Sequence, residues 1–389
     1  MGEVIMKRHN PFTPSFGGKP KHFFGRESIL LRVSSTLSGD DSPDRILFIT
    51  GPRGCGKTAL LEQLSQVAAS HRWMVIDVHS SDAVHDIMAH LDKNHTPTSV
   101  SLAPKISVLG TDVSFGEAKL GSSQVSSGLT QTLLDTCASL KTKSGVFITI
   151  DEIQKISEDD MECICAAVQM AKRKGYPIAL MMAGLPGSKK KVASYAGCTF
   201  MQRVKDERIA SLLIDETIAA FKGLCNRVSQ FEIDDAQLYE AAAFSQGYPY
   251  LIQLVGYHLV ELADAEYPVG VAKITMQDIN VIQDEVYATY RDNVLMPSTG
   301  TLKGEGRAYL AAMAKTMDEE GVASTGDVAA ELGKTTTQLS SCRQNLIERR
   351  LVIPVGYGKV RFGLPHLSRF AVERVETVQK TRAGEWPIK

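Results

Sequence analysis

Short, nearly continuous apolar runs alternate with longer stretches of helical periodicity over the first two-thirds of the chain. Runs at 45–50, 73–78, 146–150 and 178–182 read as strands. Three of them are apolar enough to be buried on both faces, as strands of a parallel sheet are. A weaker run at 208–213 reads as a fifth. Between them, apolar residues spaced three and four apart predict helices over 57–70, 126–140 and 159–174. This alternation predicts an α/β unit with a parallel sheet wrapped by helices. Residues 96–127 break the pattern. They are rich in Ser, Thr and Gly, and brief alternation at 105–109 and 112–115 predicts an inserted hairpin or loop.

From residue 214 the strand signal stops, and helical patterns follow at 215–228, 234–244, 249–265 and 275–293. Residues 297–300, Pro-Ser-Thr-Gly, read as a linker. Beyond it, helices are expected at 322–333 and 335–349, joined by Leu332-Gly333-Lys334 in a helix-turn-helix. Ser324 and Thr335 suit their N-caps. In the second, Leu339, Cys342 and Leu346 share a stripe and face the core, leaving Thr337, Ser341, Gln344 and Glu348 outward. Apolar runs at 351–354 and 359–362 flank Val355-Gly-Tyr-Gly358 as a hairpin. The expected domains are 1–213, 214–296 and 301–374, followed by a loosely ordered polar tail at 375–389.

At 389 residues the chain exceeds one ordinary core, which agrees with several units. No run of about eighteen apolar residues is present, so no membrane span is expected. The first ten residues hold no apolar core of signal-peptide length. The seven cysteines are scattered, with no CxxC pair, which points to reduced thiols in a cytoplasm. His85 and His90 are five apart and do not share a helical face, so solvated surface fits them better than a metal site. The net charge of -1 hides a mild asymmetry, because residues 300–389 carry 14 Lys/Arg against 10 Asp/Glu. That permits a nucleic-acid-facing C-terminus without establishing one.

Candidate chemistry enters after the first strand. Gly51-Pro52-Arg53-Gly54-Cys55-Gly56-Lys57-Thr58 fits GxxxxGK[ST], with a strand before it and a helix after it. Glycines let the backbone wrap phosphates and aim N–H groups at their oxygens. The helix opening near Gly56 adds unpaired N–H groups and the positive end of its dipole. Lys57 is placed to reach the β- and γ-phosphates, and the Thr58 hydroxyl to ligate Mg2+. Cys55 reads as a small filler, with a thiol activated by the helix N-terminus as the alternative. The run 146–150 delivers Asp151 and Glu152 at the carboxyl end of a buried strand, where ligand chemistry gathers in such sheets. Asp151 is expected to hold Mg2+ through its water shell, and Glu152 to orient the attacking water.

With these motifs placed, the chain resembles the AAA+ ATPases, in their initiator-like, origin-recognition-related branch, from about residue 10 to 374. The resemblance implies an α/β, P-loop parallel-sheet AAA+ domain with a helical lid and a C-terminal winged helix-turn-helix domain. It also implies ATP over GTP, with Mg2+. Residues 10–17 and Phe24-Gly25-Arg26-Glu27 look like the family's N-terminal box near the adenine, which makes Arg26 a nucleotide contact; by charge alone Arg26 and Glu27 read as a helix-start pair. Ala183 and Gly184 stand where many of the family carry a polar sensor. Residues 199–203 resemble the stretch that supplies an arginine finger to a neighbouring subunit, with Arg203 the candidate and Arg208 its rival. Gly247-Tyr248-Pro249 resembles the start of the lid helix, in the GxP form of the STAND signalling ATPases. Pro249 either contacts nucleotide or only fixes the first helical turn. These departures imply slow hydrolysis, a switch more than a motor.

The C-terminal order is similar to the winged helices of initiator-like ATPases. For duplex DNA, the second helix would enter the major groove with Thr337, Ser341 and Gln344 near base edges, and Lys334, Arg349, Lys359 and Arg361 at phosphates. The outward face lacks arginine and carries Glu348, so a protein-binding or autoinhibitory module stands as the alternative. The run Ser188-Lys-Lys-Lys191 reads as a solvated face, with a DNA contact as the alternative. The expectation is an ATP-switched, self-associating, DNA-binding ATPase; its rival is a STAND-like signalling ATPase with a protein partner.

Overall fold

The computed structural model describes residues 7–14, 23–39, 42–78, 80–94, 122–140 and 144–382. The hairpin expected at 105–109 and 112–115, residues 15–17 of the opening segment, and residues 383–389 of the tail lie outside them.

The first unit runs α1 (Glu27–Ser38), β1 (Ile46–Thr50), α2 (Lys57–Ser70), β2 (Met74–Val78), α3 (Ala83–Asn94), α4 (Ser122–Ser139), β3 (Val146–Ile150), α5 (Glu158–Arg173), β4 (Ile178–Gly184), α6 (Ser188–Val192) and β5 (Lys205–Arg208). The strands form one parallel sheet in the order β2-β3-β4-β1-β5. Thr50 pairs with Gly184 and Ile150 with Met182, so the carboxyl ends of β1, β3 and β4 finish nearly level. Leu47, Ile49 and Phe147 pack with Leu60 and Leu64 of α2 on one face. Phe48, Ile148 and Leu180 pack with Ile87, Leu133 and Ile164 on the other. Both faces are covered, which is why β1, β3 and β4 are almost wholly apolar, with only Thr50 and Thr149 as polar members.

The fifth strand differs from expectation. It is Lys-Asp-Glu-Arg at Lys205–Arg208, not the apolar run at 208–213. It sits at the sheet edge, where charged residues discourage pairing with another chain. A search for apolar runs overlooks such a strand.

The second unit holds α7 (Ile214–Cys225), β6 (Phe231–Glu232), α8 (Asp235–Ser245), α9 (Pro249–Glu266), β7 (Ala272–Lys273) and α10 (Met276–Tyr290). The two-residue strands β6 and β7 pair in parallel, a feature too short for periodicity to show. The linker expected at 297–300 is helical instead. A π-helical turn, Arg291–Leu295, carries α10 directly into α11 (Met296–Thr299), and Thr299 is buried. Pro297 lies in the first turn of α11, where a missing N–H costs little.

The C-terminal unit is α12 (Gly304–Thr316), β8 (Val322–Ser324), α13 (Thr325–Glu331), α14 (Ser340–Glu348), β9 (Val352–Gly356), β10 (Lys359–Phe362) and α15 (Leu367–Arg382). An antiparallel sheet in the order β8-β10-β9 joins the four helices, which is consistent with the expected winged helix. Two helix boundaries are corrected. Val322–Ser324 is a strand, because Ala323 pairs with Val360 and closes the small core. Regular helix resumes only at Ser340: Thr335 and Gln338 bond reciprocally and close a separate turn first. Leu339 and Leu346 are buried as expected, while Cys342 is half-buried. Residues 375–382 continue α15 and are not a tail.

Residues 7–14 strap the second unit. The Arg8 guanidinium pairs with Asp264 at 3.0 Å and donates to four backbone carbonyls, of Gln230, Ala263, Tyr267 and Gly270. Phe12 is buried against α9 at Gly256, where an added Cβ would stand 2.1 Å from its ring. Gly256→Ala is therefore expected to destabilise the fold by ~1–3 kcal/mol, the usual cost of overpacking. Urea unfolding of parent and variant measures it, and equal midpoints would show that the strap does not pack there in solution.

Candidate phosphate site

Gly54 and Gly56 lie at φ +77 and +91, in the left-handed region that glycine enters freely. They bend the chain after β1 into a loop that ends at the first residue of α2. Lys57 opens that helix and is 6% exposed. Its ammonium donates to the Gly51 carbonyl at 3.0 Å and the Pro52 carbonyl at 2.8 Å, so it lies inside the ring of the loop. Cys55 is buried beneath Gly51, where an added Cβ would meet its Sγ at 2.4 Å. Burial pushes its thiol pKa up, so the small-filler reading fits and activation by the helix does not.

Across the sheet, the Thr58 hydroxyl donates to Asp151 Oδ2 at 2.5 Å. Two hard oxygen donors so close fit a shared Mg2+, which takes one or two protein oxygens and keeps several waters. Asp151 Oδ1 accepts from the Glu152 N–H at 2.7 Å, and Glu152 sits at φ +50. A left-handed, non-glycine residue at the mouth of a sheet is a strained position of the kind that collects at functional sites. The structure thus brings together Gly51, Pro52, Arg53, Gly54, Cys55, Gly56, Lys57, Thr58, Asp151 and Glu152.

The lid helix meets this loop directly. Pro249 occupies the first turn of α9, and its ring carbons lie 3.8–3.9 Å from where a Cβ on Gly56 would sit. The Tyr250 N–H donates to Gly54 O at 3.2 Å, and the Tyr248 hydroxyl donates to Arg53 O. Tyr248 is 2% exposed, and burial raises its phenol pKa well above the ordinary value, so it is a neutral donor. Neither tyrosine was singled out in the sequence, although both flank the Pro249 that was. Arg26 precedes α1 and donates to Gly25 O and Ala210 O, tying the helix start to the chain beyond β5. Burial lowers its pKa.

Arg203 is not brought to this site. It lines a cavity of about 570 Å³ with Ser42, Pro43, Ile46, Phe200 and Arg173, at the opposite end of β1. Five residues of strand, roughly 15 Å, separate that end from the loop. Arg208 lies at the phosphate end and donates to Asp206 at 3.1 Å, while Asp206 accepts from Thr50 at 2.5 Å. Near them stands Arg350, from the C-terminal unit, whose pKa burial and the neighbouring Arg208 push down. No sequence signal marks Arg350, because its approach depends on how that unit packs.

At position 184 a Cβ would meet Ile153 at 2.6 Å and Ser188 at 2.9 Å. The sensor position thus has no room for a polar side chain. The lysine run beside it is not simply solvated: Lys189 donates to Val204 O, and Lys190 pairs with Glu348 at 3.1 Å. Among the residues expected at DNA, Thr337, Ser341, Gln344, Lys359 and Arg361 are exposed. Lys334 pairs with Glu305, and Arg349 donates to Thr301 at 2.6 Å. Tyr357, unmarked in the sequence, stands fully exposed at the hairpin tip.

Residues 22–181 match the AAA ATPase domain family, and residues 292–371 match a family described as a domain of unknown function. A search of curated proteins gave no match. The chain is similar to the Aeropyrum pernix ORC2 protein in its ADPNP–ADP complexes, at 13% identity and a TM-score of 0.62, over 95% of this chain and 98% of that one. It is also similar to Cdc6p from Pyrobaculum aerophilum, at 14% identity and a TM-score of 0.50, over 95% and 97%. At such identities the likeness is one of fold.

Tyr248→Phe removes one lid-to-loop hydrogen bond. A net loss of about 0.5–1.5 kcal/mol corresponds to Mg-nucleotide affinity weaker by about 2- to 10-fold. Titration calorimetry reads this, and unaltered affinity would separate the lid contact from nucleotide binding.

Proposed function

We propose that the chain, which matches the AAA ATPase domain family over residues 22–181, hydrolyses Mg-ATP slowly as a nucleotide-controlled switch that binds duplex DNA through its C-terminal winged helix. One observation carries the coupling. The loop that would hold the phosphates is bonded to the lid helix, and the lid is packed onto the C-terminal unit through Tyr248, Tyr290 and His366.

In this reading, Lys57 and the loop N–H groups hold the phosphates, while Thr58 and Asp151 hold Mg2+, which neutralises charge developing on the transferred phosphoryl group. Glu152 orients and deprotonates the attacking water. Arg203 faces a neighbouring copy, which makes self-association part of the proposal, and Arg26 and Pro249 line the nucleotide side. The missing sensor side chain at Gly184 supports slow turnover.

For DNA, exposed Thr337, Ser341 and Gln344 would approach base edges, and Lys359 and Arg361 of the hairpin would meet phosphates. Lys334 and Arg349 must first leave their partners. A second reading, in which the winged helix is a protein-interaction or autoinhibitory module of a STAND-like signalling ATPase, is favoured by the Lys190–Glu348 pair, which already docks α14 on the ATPase unit. Among the described residues no helix is long and apolar enough to cross a membrane, and a cytoplasmic setting suits the free cysteines.

Glu152→Gln is expected to lower phosphate release by roughly 10²–10⁴-fold with nucleotide affinity retained. Equal rates in parent and variant would rule out the assigned role. Fluorescence anisotropy with duplex DNA tests the other half. Affinity should fall steeply with salt, and Lys359→Ala or Arg361→Ala should each reduce the salt slope by about one. Absence of duplex binding with either nucleotide would hand the case to the protein-interaction reading.

A further inference from the structure

Glu152 is held from the side by a residue that no motif marks. Gln154 Nε2 donates to Glu152 Oε2 at 2.7 Å, and the Lys155 ammonium lies 3.8 Å from the same oxygen. The other end of the Gln154 amide is also engaged. Its Oε1 accepts from the Leu185 N–H at 3.2 Å and the Ser188 hydroxyl at 3.4 Å. Each amide atom therefore has a partner of the correct sense, which fixes the orientation of the group. Leu185 follows β4 and Ser188 opens α6, so Gln154 ties the candidate water-activating carboxylate to the strand end where a sensor side chain has no room.

The tie continues outward. Ser188 is 6% exposed, and two residues on, Lys190 bonds Glu348 Oε1 at 3.1 Å. Glu348 ends α14, the helix whose outer face is the candidate reading surface. Hydrogen bonding and charge from Lys190 hold the Glu348 carboxyl below its usual range, which marks the pair as a favourable contact. From the catalytic edge to the winged helix there are thus two sets of polar contacts, Glu152–Gln154–Ser188 and Lys190–Glu348, joined by the backbone of α6 over two residues.

We propose that Gln154 is a positioning residue that restrains Glu152 from its water-activating pose, and that α6 couples this restraint to the docking of the winged helix through Lys190 and Glu348. The proposal rests on the reading of Glu152 as the residue that activates water. An oxygen that accepts from an amide and faces an ammonium is less available to take a proton from water. When the winged helix leaves, α6 loses its outer anchor, Ser188 and Leu185 shift relative to Gln154, and Glu152 gains freedom. Engagement of the winged helix elsewhere would then raise hydrolysis.

Steady-state phosphate release on the full chain, with kcat and KM for ATP separated, tests this. Gln154→Ala should raise kcat by about tenfold, the weight of one hydrogen bond to a charged group, with KM unchanged. Gln154→Glu keeps acceptors for Leu185 and Ser188 but sets a second carboxylate against Glu152, so it should raise kcat too; a purely structural role predicts parental rates for this variant. Lys190→Glu and Glu348→Lys should each raise kcat by at most about fivefold, as suits an exposed pair, and the double charge swap should return it toward the parent. In a Glu152→Gln background all four should be without effect. A lowered kcat in Gln154→Ala at parental thermal stability, or charge-swap rates that stay high, would overturn the proposal while leaving the ATPase reading intact. Parent turnover that does not depend on Glu152 would remove the premise and the inference together.

Discussion

The first turn of the lid helix is bonded to the phosphate loop itself, and the geometry of both depends on that contact. Gly54 must satisfy three demands at once. It holds a left-handed backbone at φ +77, it offers its carbonyl to the Tyr250 N–H, and it leaves space for Tyr250 Cβ and Tyr248 Cε1, which an added Cβ would approach to 2.9 and 3.2 Å. Only glycine meets all three. Pro249 contributes by setting the first helical turn without an N–H to satisfy, so the backbone of α9 can lie close to Gly56. The lid is thereby a wall of the phosphate site, and any change in the loop's shape is felt at the N-terminus of α9.

From that wall, an aromatic cluster carries rigid packing to the far side of the lid. The Tyr248 and Tyr290 rings meet edge-on at 5.7 Å, Tyr290 lies 6.3 Å from His366, and His366 lies 4.6 Å from Phe244. His366 Nε2 stands 2.9 Å from the Phe244 carbonyl, so that nitrogen carries the proton and donates. Burial lowers the His366 pKa, which keeps the ring neutral and compatible with its apolar surroundings at neutral pH. Tyr290 and Tyr248 are almost wholly buried, so these contacts have little freedom to slide.

The phosphate loop, the acid pair and the first four strands were legible because each obeys a local rule: glycine spacing, apolar runs, and carboxylates at a strand's end. What escaped the sequence depends on long-range packing. The edge strand at Lys205–Arg208 is all charge, since an edge needs no apolar face. The expected linker at 297–300 is helical because a π turn passes Pro297 into a position where it is tolerated. Gln154 carries no motif at all; its role follows from β4 and α6 folding beside it, 31 and 34 residues downstream. The lysine run read as solvated finds a partner 158 residues away. Arg203 resembles its family stretch in sequence, yet the fold sets it at the other end of the sheet, away from this chain's own phosphate loop.

Among the described residues, the C-terminal unit meets the lid and the ATPase unit through contacts of unequal strength. Against α10, α15 places Arg369 over the Tyr287 ring at 3.8 Å and in reach of Asp284 at 3.1 Å, while the Tyr287 hydroxyl donates to Glu373 at 2.6 Å. With the buried His366 beside them, these contacts share desolvated surface and reinforce one another. Against the ATPase unit, Lys190–Glu348 is a solvent-exposed pair, of a kind that contributes little and is screened by salt. The weaker attachment yields first. The C-terminal unit is thus held more firmly to the lid than to α6, and the lid in turn begins on the phosphate loop.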